Sequence, residues 1–422
     1  GVAYDLDANK IWFSKNGTWQ ESGNPAAGSN EAFTLSADKI YKPAGRFYDS
    51  TGTFNFGQRD FNSTPPTGFK ALCTSNLADP PVKKPNTVFD AILYEGDGQQ
   101  NRSISALNFQ PELVWFKNRD DTNGQMWCDA ARGATKVFYA HLTLVEHTES
   151  QSLTAFESDG WQMGDFANNN ANNMSYVTWC WDAGTSAASA STAGSTNATD
   201  SWVNATAGFS ITEWEGTGSG TTVGHSLSAA PHLIVTRNRD LQTNMAVYHW
   251  QQGSGKSVLM NSSNAGFTPS PAAAWNSTDP TSSVFSVGSY GSNNGSGQSM
   301  VAYCWTEVDG LSHFGKYTGT GSTDGPFVCT GFRPKFLIFK RFDDTGNWEM
   351  YDAARDPWNP YGLNLIANGN NVEADAVGAG YPADMLSNGF KIRHAGAAVN
   401  ASGGDYIYIA FAETPFKYSR AR

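Results

Sequence analysis

Residues 89–98 read FDAILYEGDG, residues 209–218 read FSITEWEGTG, and residues 314–321 read FGKYTGTG. Each phrase is a strand-like run closing on a Gly-x-Gly turn, and Phe209–Trp214 alternates apolar and polar residues strictly, as a half-buried strand does. Downstream of each comes a proline and an apolar run ending in charge: Pro111 with LVWFKNRD, Pro231 with LIVTRNRD, Pro334 with FLIFKRFD. Each copy closes on a further strand: YVTWCW at 176–181, VAYCW at 301–305, IYIAF at 407–411. The openings lie about 105 to 120 residues apart, one small domain each. Residues 88–183, 207–309 and 310–422 therefore read as three tandem antiparallel β-sandwich or jelly-roll repeats, and the chain as all-β. Runs such as Phe336–Phe339 have the composition of strands buried on both faces. Helical signals are confined to a turn or two, at Asp352–Arg355 and Asp384–Leu386.

Residues 1–78 form a separate unit. Val2–Asp7 alternates, Ile11–Ser14 is a second strand, and Asn16-Gly17 is a hairpin turn. The phrases GVAYDLDANKIWFSKNGTW, NFGQRDF and PPTGFKALC resemble the C-terminal part of a SPRY domain, a β-sandwich whose front half is not among these residues. The Pro/Lys-rich stretch 79–87 reads as a linker, and the Ser/Ala/Thr-rich stretch 184–206 as a second linker or long exposed loop. The junction at Val308–Ser312 is far tighter, so the second and third repeats are expected to pack directly.

Charged residues make up only 16% of the chain and the formal net charge is −11, which disfavours a nucleic-acid backbone as partner. No apolar run approaches the ~20 residues of a helical membrane span. Five cysteines are too few for a disulfide scaffold. Cys180 and Cys304 stand where the third repeat has Ala410, and Cys128 aligns with Tyr248 and Tyr351, so all read as core positions.

Comparison of the copies also weighs the candidate chemistry. The pairs Gly96/Gly98, Gly216/Gly218 and Gly319/Gly321 recur after a strand with no following helix, which makes them turns rather than phosphate loops. Gly255-Lys256-Ser257 lacks the first glycine of a P-loop. Seven scattered histidines without an HExxH or paired-cysteine partner give no zinc site. The Asn-rich loops at 168–170 and 368–371 lack the order of a Ca²⁺ loop, and no Gly-x-Ser-x-Gly elbow is present. No metal or cofactor is expected. Charged clusters recur at Lys117–Asp120, Arg237–Asp240 and Lys340–Asp343, and again at Asp129–Arg132 and Asp352–Arg355, where the second repeat has His249–Gln252. They are either ligand forks or internal braces, and reuse within a repeated scaffold favours braces. Paired Asp residues in turns give no sign of a glycosidase cleft. The better binding candidates are aromatic residues in Gly/Ser/Asn/Pro-rich loops: Trp202, Trp250, Trp275, Tyr290, Trp358, Tyr361 and Tyr381. Such rings serve oligomer contacts, glycan contacts or plain loop packing.

Taken over nearly its whole length, with "FQPELVWFKNRD", "DAARGATK", "FESDGW", "VTWCWDAGT", "GFRPKFLIFKR" and "LSNGFKIR", the chain resembles a family of tailed-phage structural, tail-fibre-like proteins. The resemblance implies a non-enzymatic virion component at the particle surface. It would assemble with itself, for example as a trimer, and with other virion proteins, and attach to host surface glycans. The alternative is a polysaccharide depolymerase, which would concentrate carboxylates in one groove with one pKa strongly perturbed.

Overall fold

The computed structural model describes residues 1–37, 41, 48, 49, 51–186, 190–266, 273–375 and 381–419. The chain divides into two compact units, Gly1–Ala78 and Asp79–Arg422. No helix among the described residues is long and apolar enough to cross a membrane.

The first unit is a small antiparallel sheet in which Val2–Asp5 and Phe33–Thr34 flank Lys10–Lys15, itself paired with Thr18–Trp19. Asn16 and Gly17 both take positive φ, 51° and 85°, as a two-residue hairpin turn of this hand requires. Trp12 supplies its core: it is buried, its indole N–H donates to the Ser29 carbonyl at 2.9 Å, and the Phe69 ring stands edge-on to it.

The second unit contains three large antiparallel sheets built on one plan. In the first, Leu113–Asn118 lies between Met126–Asp129 and Ser175–Trp181, with Phe89–Glu95 beyond. In the second, Leu233–Asn238 lies between Ala246–His249 and Ser299–Trp305, with Phe209–Glu215 beyond. In the third, Phe332–Arg341 lies between Trp348–Asp352 and Asp405–Pro415, with Ser312–Thr318 beyond. The register places Ser312 opposite Phe411, where Phe89 faces Trp181 and Phe209 faces Trp305. The third copy thus opens two residues before Phe314. Each large sheet is accompanied by a small one; the first joins Arg102–Ser105, Gly160–Met163 and Leu153–Glu157.

The apolar runs are continuous because both faces of each large sheet are covered. Val114 and Phe116 point to a core with Trp161 and Leu153 of the small sheet, while Leu113 and Trp115 point the other way. Leu233, Val235, Phe336 and Ile338 join Leu113 and Trp115 in one cluster drawn from all three large sheets. Trp179 stacks on Phe336 with centroids 5.0 Å apart, Trp127 meets Tyr303 edge-on at 5.0 Å, and Trp181 touches both Trp305 and Phe411. Only a void of about 20 Å³ remains there, lined by groups such as Trp115, Leu233 and Phe336. It is an apolar core and not a channel. Each large side chain buried there contributes about 1.5–3 kcal/mol.

Cys180, Cys304 and Ala410 occupy equivalent buried positions, as do Cys128, Tyr248 and Tyr351. Burial pushes the Cys128 thiol up to about 12, so it packs and does not react. Three expectations need correction. Residues 198–204 are not linker: Ala198–Asn204 is a strand paired with Phe209–Glu215 and widens the second large sheet; its polar residues suit a position near the sheet edge. Residues 79–87 are not a free connector, because Val82 is buried with Ala207, Val308 and Leu311, and Asp79 binds Lys417 and Tyr418. Asp384–Leu386 lies in the strand Ala383–Leu386, whereas Asp352 ends a strand and opens a turn through Arg355; the α-helical turns among the described residues are Ala167–Asn170, Gly291–Asn294 and Ala397–Asn400.

Those short helices exist to hold the Gly-x-Gly turns. Each ends in a buried asparagine whose Oδ1 accepts a backbone N–H from between the two glycines: Asn170 from Asp97, Asn294 from Thr217, Asn400 from Thr320. The same amides donate back to Gly164 and Gln99, Gly288 and Ser219, His394 and Ser322. The first glycine of each turn has no room for a side chain: a Cβ at Gly216 would lie 2.1 Å from the Gly295 carbonyl. Gly216→Ala is therefore expected to destabilise the second unit by about 2–3 kcal/mol. Gly403→Ala, at a positive-φ position with open space around it, should cost about 1 kcal/mol, the backbone strain alone. Denaturant unfolding of the two variants checks the difference.

Candidate functional site: the junctions between the sheets

The recurring charged clusters sit where one large sheet meets the next. At the meeting of third and first, Asp352 accepts the Arg355 Nε–H at 2.5 Å, and Arg355 reaches Glu373 at 3.0 Å. Arg119 of the first copy forks onto the same Glu373, at 2.9 and 2.7 Å, and the Trp179 indole donates to Asp352 at 3.2 Å. At the meeting of first and second the constellation repeats. Asp129 accepts Arg132 at 2.5 Å, Arg132 reaches Glu146 at 3.3 Å, and Arg239 forks onto Glu146 at 2.8 and 3.1 Å. Here Tyr303 donates its hydroxyl to Asp129 at 2.6 Å in the role of Trp179. The side chains of Asp129, Arg132, Asp352 and Arg355 are fully buried, so these are braces and not ligand forks.

The meeting of second and third has the same backbone and different side chains. Gly266 donates its N–H to the Phe342 carbonyl at 2.8 Å, as Glu146 does to Arg239 and Glu373 to Arg119. His249 stands for the aspartate, Gln252 for the first arginine, Gly266 for the glutamate, Phe342 for the second arginine, and Ile409 for the aromatic donor. Every partner in the network has been replaced together. The equivalent cations Lys117, Arg237 and Lys340 also each cap a carbonyl of the neighbouring copy's loop, at Asn370, Leu144 and Ser263 respectively.

What the altered junction gains is a group of imidazoles and aromatics. Glu307 accepts the Phe314 N–H at 2.8 Å and lies 3.8 Å from His232 Nε2 and 3.7 Å from His313 Nδ1. The Tyr408 hydroxyl sits 2.8 Å from His313 Nδ1, its ring stacked on the imidazole. Trp250 stands edge-on to His232, donates its indole N–H to the Phe314 carbonyl, and leaves 41% of its surface exposed. Burial lowers the pKa of His232 and His313 and raises that of Glu307; His249, wholly buried, is pushed down to about 3. At neutral pH the patch therefore offers neutral imidazoles beside an indole, groups that hydrogen-bond hydroxyls and stack on rings. Among the described residues no group of His, Cys, Asp and Glu is arranged to hold a metal ion.

The aromatic residues singled out in the sequence fare unequally. Trp275 and Tyr361 are core residues, 1% and 0% exposed, and Tyr361 accepts a hydrogen bond from Arg333. Trp202 packs on the central cluster from its strand and donates to Asp200. Tyr290 and Tyr381 pack partly against the cores of the second and third copies. Only Trp250 and Trp358, the latter 70% exposed, present open faces. Loop composition overstated exposure because these loops fold back over the small sheets. Sequence reading weighed Asn170 only as part of a Ca²⁺ loop and passed over Asn294 and Asn400, although each of the three precedes a closing strand at nearly the same distance, and that recurrence was the available signal.

The second unit is thus all-β, with three large sheets closing on one core and Asp–Arg–Glu networks at two of their three junctions. A family model described as a domain of unknown function, DUF7483, matches residues 84–415, which covers the second unit almost entirely. The chain belongs to the DUF7483 family. No curated protein and no solved structure matches it.

Arg355→Ala leaves the fully buried Asp352 without its ion partner, while Glu373 keeps Arg119, and is expected to cost about 3–5 kcal/mol in denaturant unfolding. Gln252→Ala, at the equivalent place, should cost under about 1 kcal/mol, since the Gln252 amide is buried without a hydrogen-bond partner among the described residues. A second prediction concerns pH. Burial, reinforced by Asp182, pushes Glu112 up to about 9 from its ordinary 4.5. Its contribution to stability is complete below the ordinary value and is lost as pH rises toward 9. Glu112→Gln should therefore melt at a higher temperature than the parent at pH 8 and at nearly the same temperature at pH 4.

Proposed function

We propose that this chain is a non-catalytic structural and attachment module of a bacteriophage virion, carried on a tail fibre or another surface appendage. It attaches to host surface glycans and joins copies of itself and other virion proteins. The observation that carries the reading is the cyclic locking of three large sheets around one dry aromatic core. Such an arrangement resists deformation, leaves the rings of Trp250 and Trp358 exposed, and has spent its buried Asp–Arg pairs on internal braces. Of the two carboxyls pushed up furthest, Glu112 is only 2% exposed and is held by Ala183 N–H and Gln110, and Glu213, raised to about 7 by burial, is engaged by Arg239. A walled-in acid of this kind suits a scaffold better than a cleft enzyme. The net charge of −11 suits a partner that is neutral or carries cations, rather than a nucleic acid.

Incubation of the purified chain with host cells and with their isolated capsular or outer-envelope polysaccharide tests the reading. The expected result is sedimentation of the protein with the cells and no release of soluble oligosaccharide. Release of oligosaccharide would establish a depolymerase, and absence of attachment would remove the adhesive role.

A further inference from the structure

The third copy departs from the first at one pair of core positions. Glu349 lies opposite Ile366 and Phe339 in the sheet, where the first copy has Met126 and the second Ala246. Its diagonal neighbour Asn364 takes the place of Val137 and Ser257. In the first copy Met126 and Val137 are wholly buried among apolar side chains, which is what this face of the sheet calls for. The third copy instead puts a carboxyl and an amide there, 1% and 7% exposed, joined by a hydrogen bond of 2.6 Å. Burial raises the Glu349 pKa, the expected penalty for a carboxyl in such a place. A scaffold that needed only packing had an apolar solution already in its first copy.

The polar pair borders a cavity of about 470 Å³, within the range of about 300–1,000 Å³ typical of small-ligand sites. Asn347 and Ser263 line it with further polar groups, Ile366 gives it an apolar wall, and Tyr381 stands at its side. Asn364 uses one amide atom on Glu349 and leaves the other buried without a partner, whichever way the amide is turned. Lys340, the nearest cation, is turned to the carbonyls of Ser263 and Gly346. A carboxyl and amide side by side, an unfilled amide atom, an aromatic ring and an apolar wall match the vicinal hydroxyls and C–H face of a sugar ring. No Lys or Arg is among the residues that line the cavity, so nothing there calls for an anionic ligand.

We infer that the cavity of the third copy beside Glu349, Asn364 and Tyr381 is a binding site for a neutral saccharide unit. The inference rests on the glycan-attachment reading and gives it a location. Saturation-transfer NMR and calorimetry on the full chain test it, with methyl glycosides of neutral hexoses and N-acetylhexosamines as probes and a hexuronate and a sialoside as charged controls. At least one neutral glycoside is expected to bind, and the charged ones to bind at least tenfold more weakly. The double variant Glu349→Met, Asn364→Val copies the first copy's own core pair, so it should melt cooperatively while losing at least tenfold in affinity. Tyr381→Ala, at a half-buried ring, should weaken binding without loss of the fold and serves if the double variant does not fold. Binding that survives in both variants, binding confined to the charged probes, or no binding of any neutral glycoside overturns the site. If cells are still bound while the site fails, attachment uses other residues; if cells are not bound either, the attachment reading falls with it.

Discussion

Each large sheet in the second unit has two apolar faces, and a small sheet covers only one of them. The uncovered face, carrying Trp115, Val235 or Ile338 and their neighbours, has to be buried against something of comparable size. The other two large sheets supply it. A copy taken alone would expose an aromatic surface well beyond what a soluble domain carries, so the copies are interdependent even though each has its own sandwich core. This accounts for the compactness of Asp79–Arg422 as one unit.

A shared apolar core is indifferent to orientation, and the junction chemistry removes that freedom. Hydrophobic contact falls off gently as sheets slide, whereas the fork of Arg119 on Glu373, or of Arg239 on Glu146, tolerates little displacement. The buried Asp–Arg pairs add little net stability, because desolvation offsets their attraction. Their effect is on register. The junction without them closes on apolar contact, on the Gly266–Phe342 backbone pairing and on side-chain bonds to carbonyls, such as those of Trp250 and Lys340. Two keyed junctions and one plain one already determine the order of the three sheets.

Much of this fold was legible in the chain. Period, strand phrases, turn glycines and the equivalence of Cys180, Cys304 and Ala410 follow from comparing copies, since residues at one structural position face the same packing. The ring closure was not legible. Nothing in LVWFKNRD says that Leu113 and Trp115 face another sheet of the same chain while Val114 and Phe116 face their own. The aromatic candidates went astray for a related reason: Gly, Ser and Asn around Trp275 and Tyr361 suggest solvent, yet the loops bearing them fold inward. Composition reports what a segment can do locally, and burial is decided by distant chain.

Internal repetition also changes how a polar residue in a core is to be understood. In a single-copy protein, Glu349 beside Asn364 would be one buried polar pair among several, with stability and function equally good explanations. Here the same sheet position is filled three ways in one molecule, at one temperature and pH, and the apolar filling demonstrably packs. The comparison shows that the position can be filled without a carboxyl. The Asp–Arg braces pass the opposite test, because they occur twice and vanish as a complete set where they are absent. Recurrence with concerted loss marks structure; the carboxyl of Glu349, which neither other copy has at this position, is the departure on which the proposed saccharide site rests.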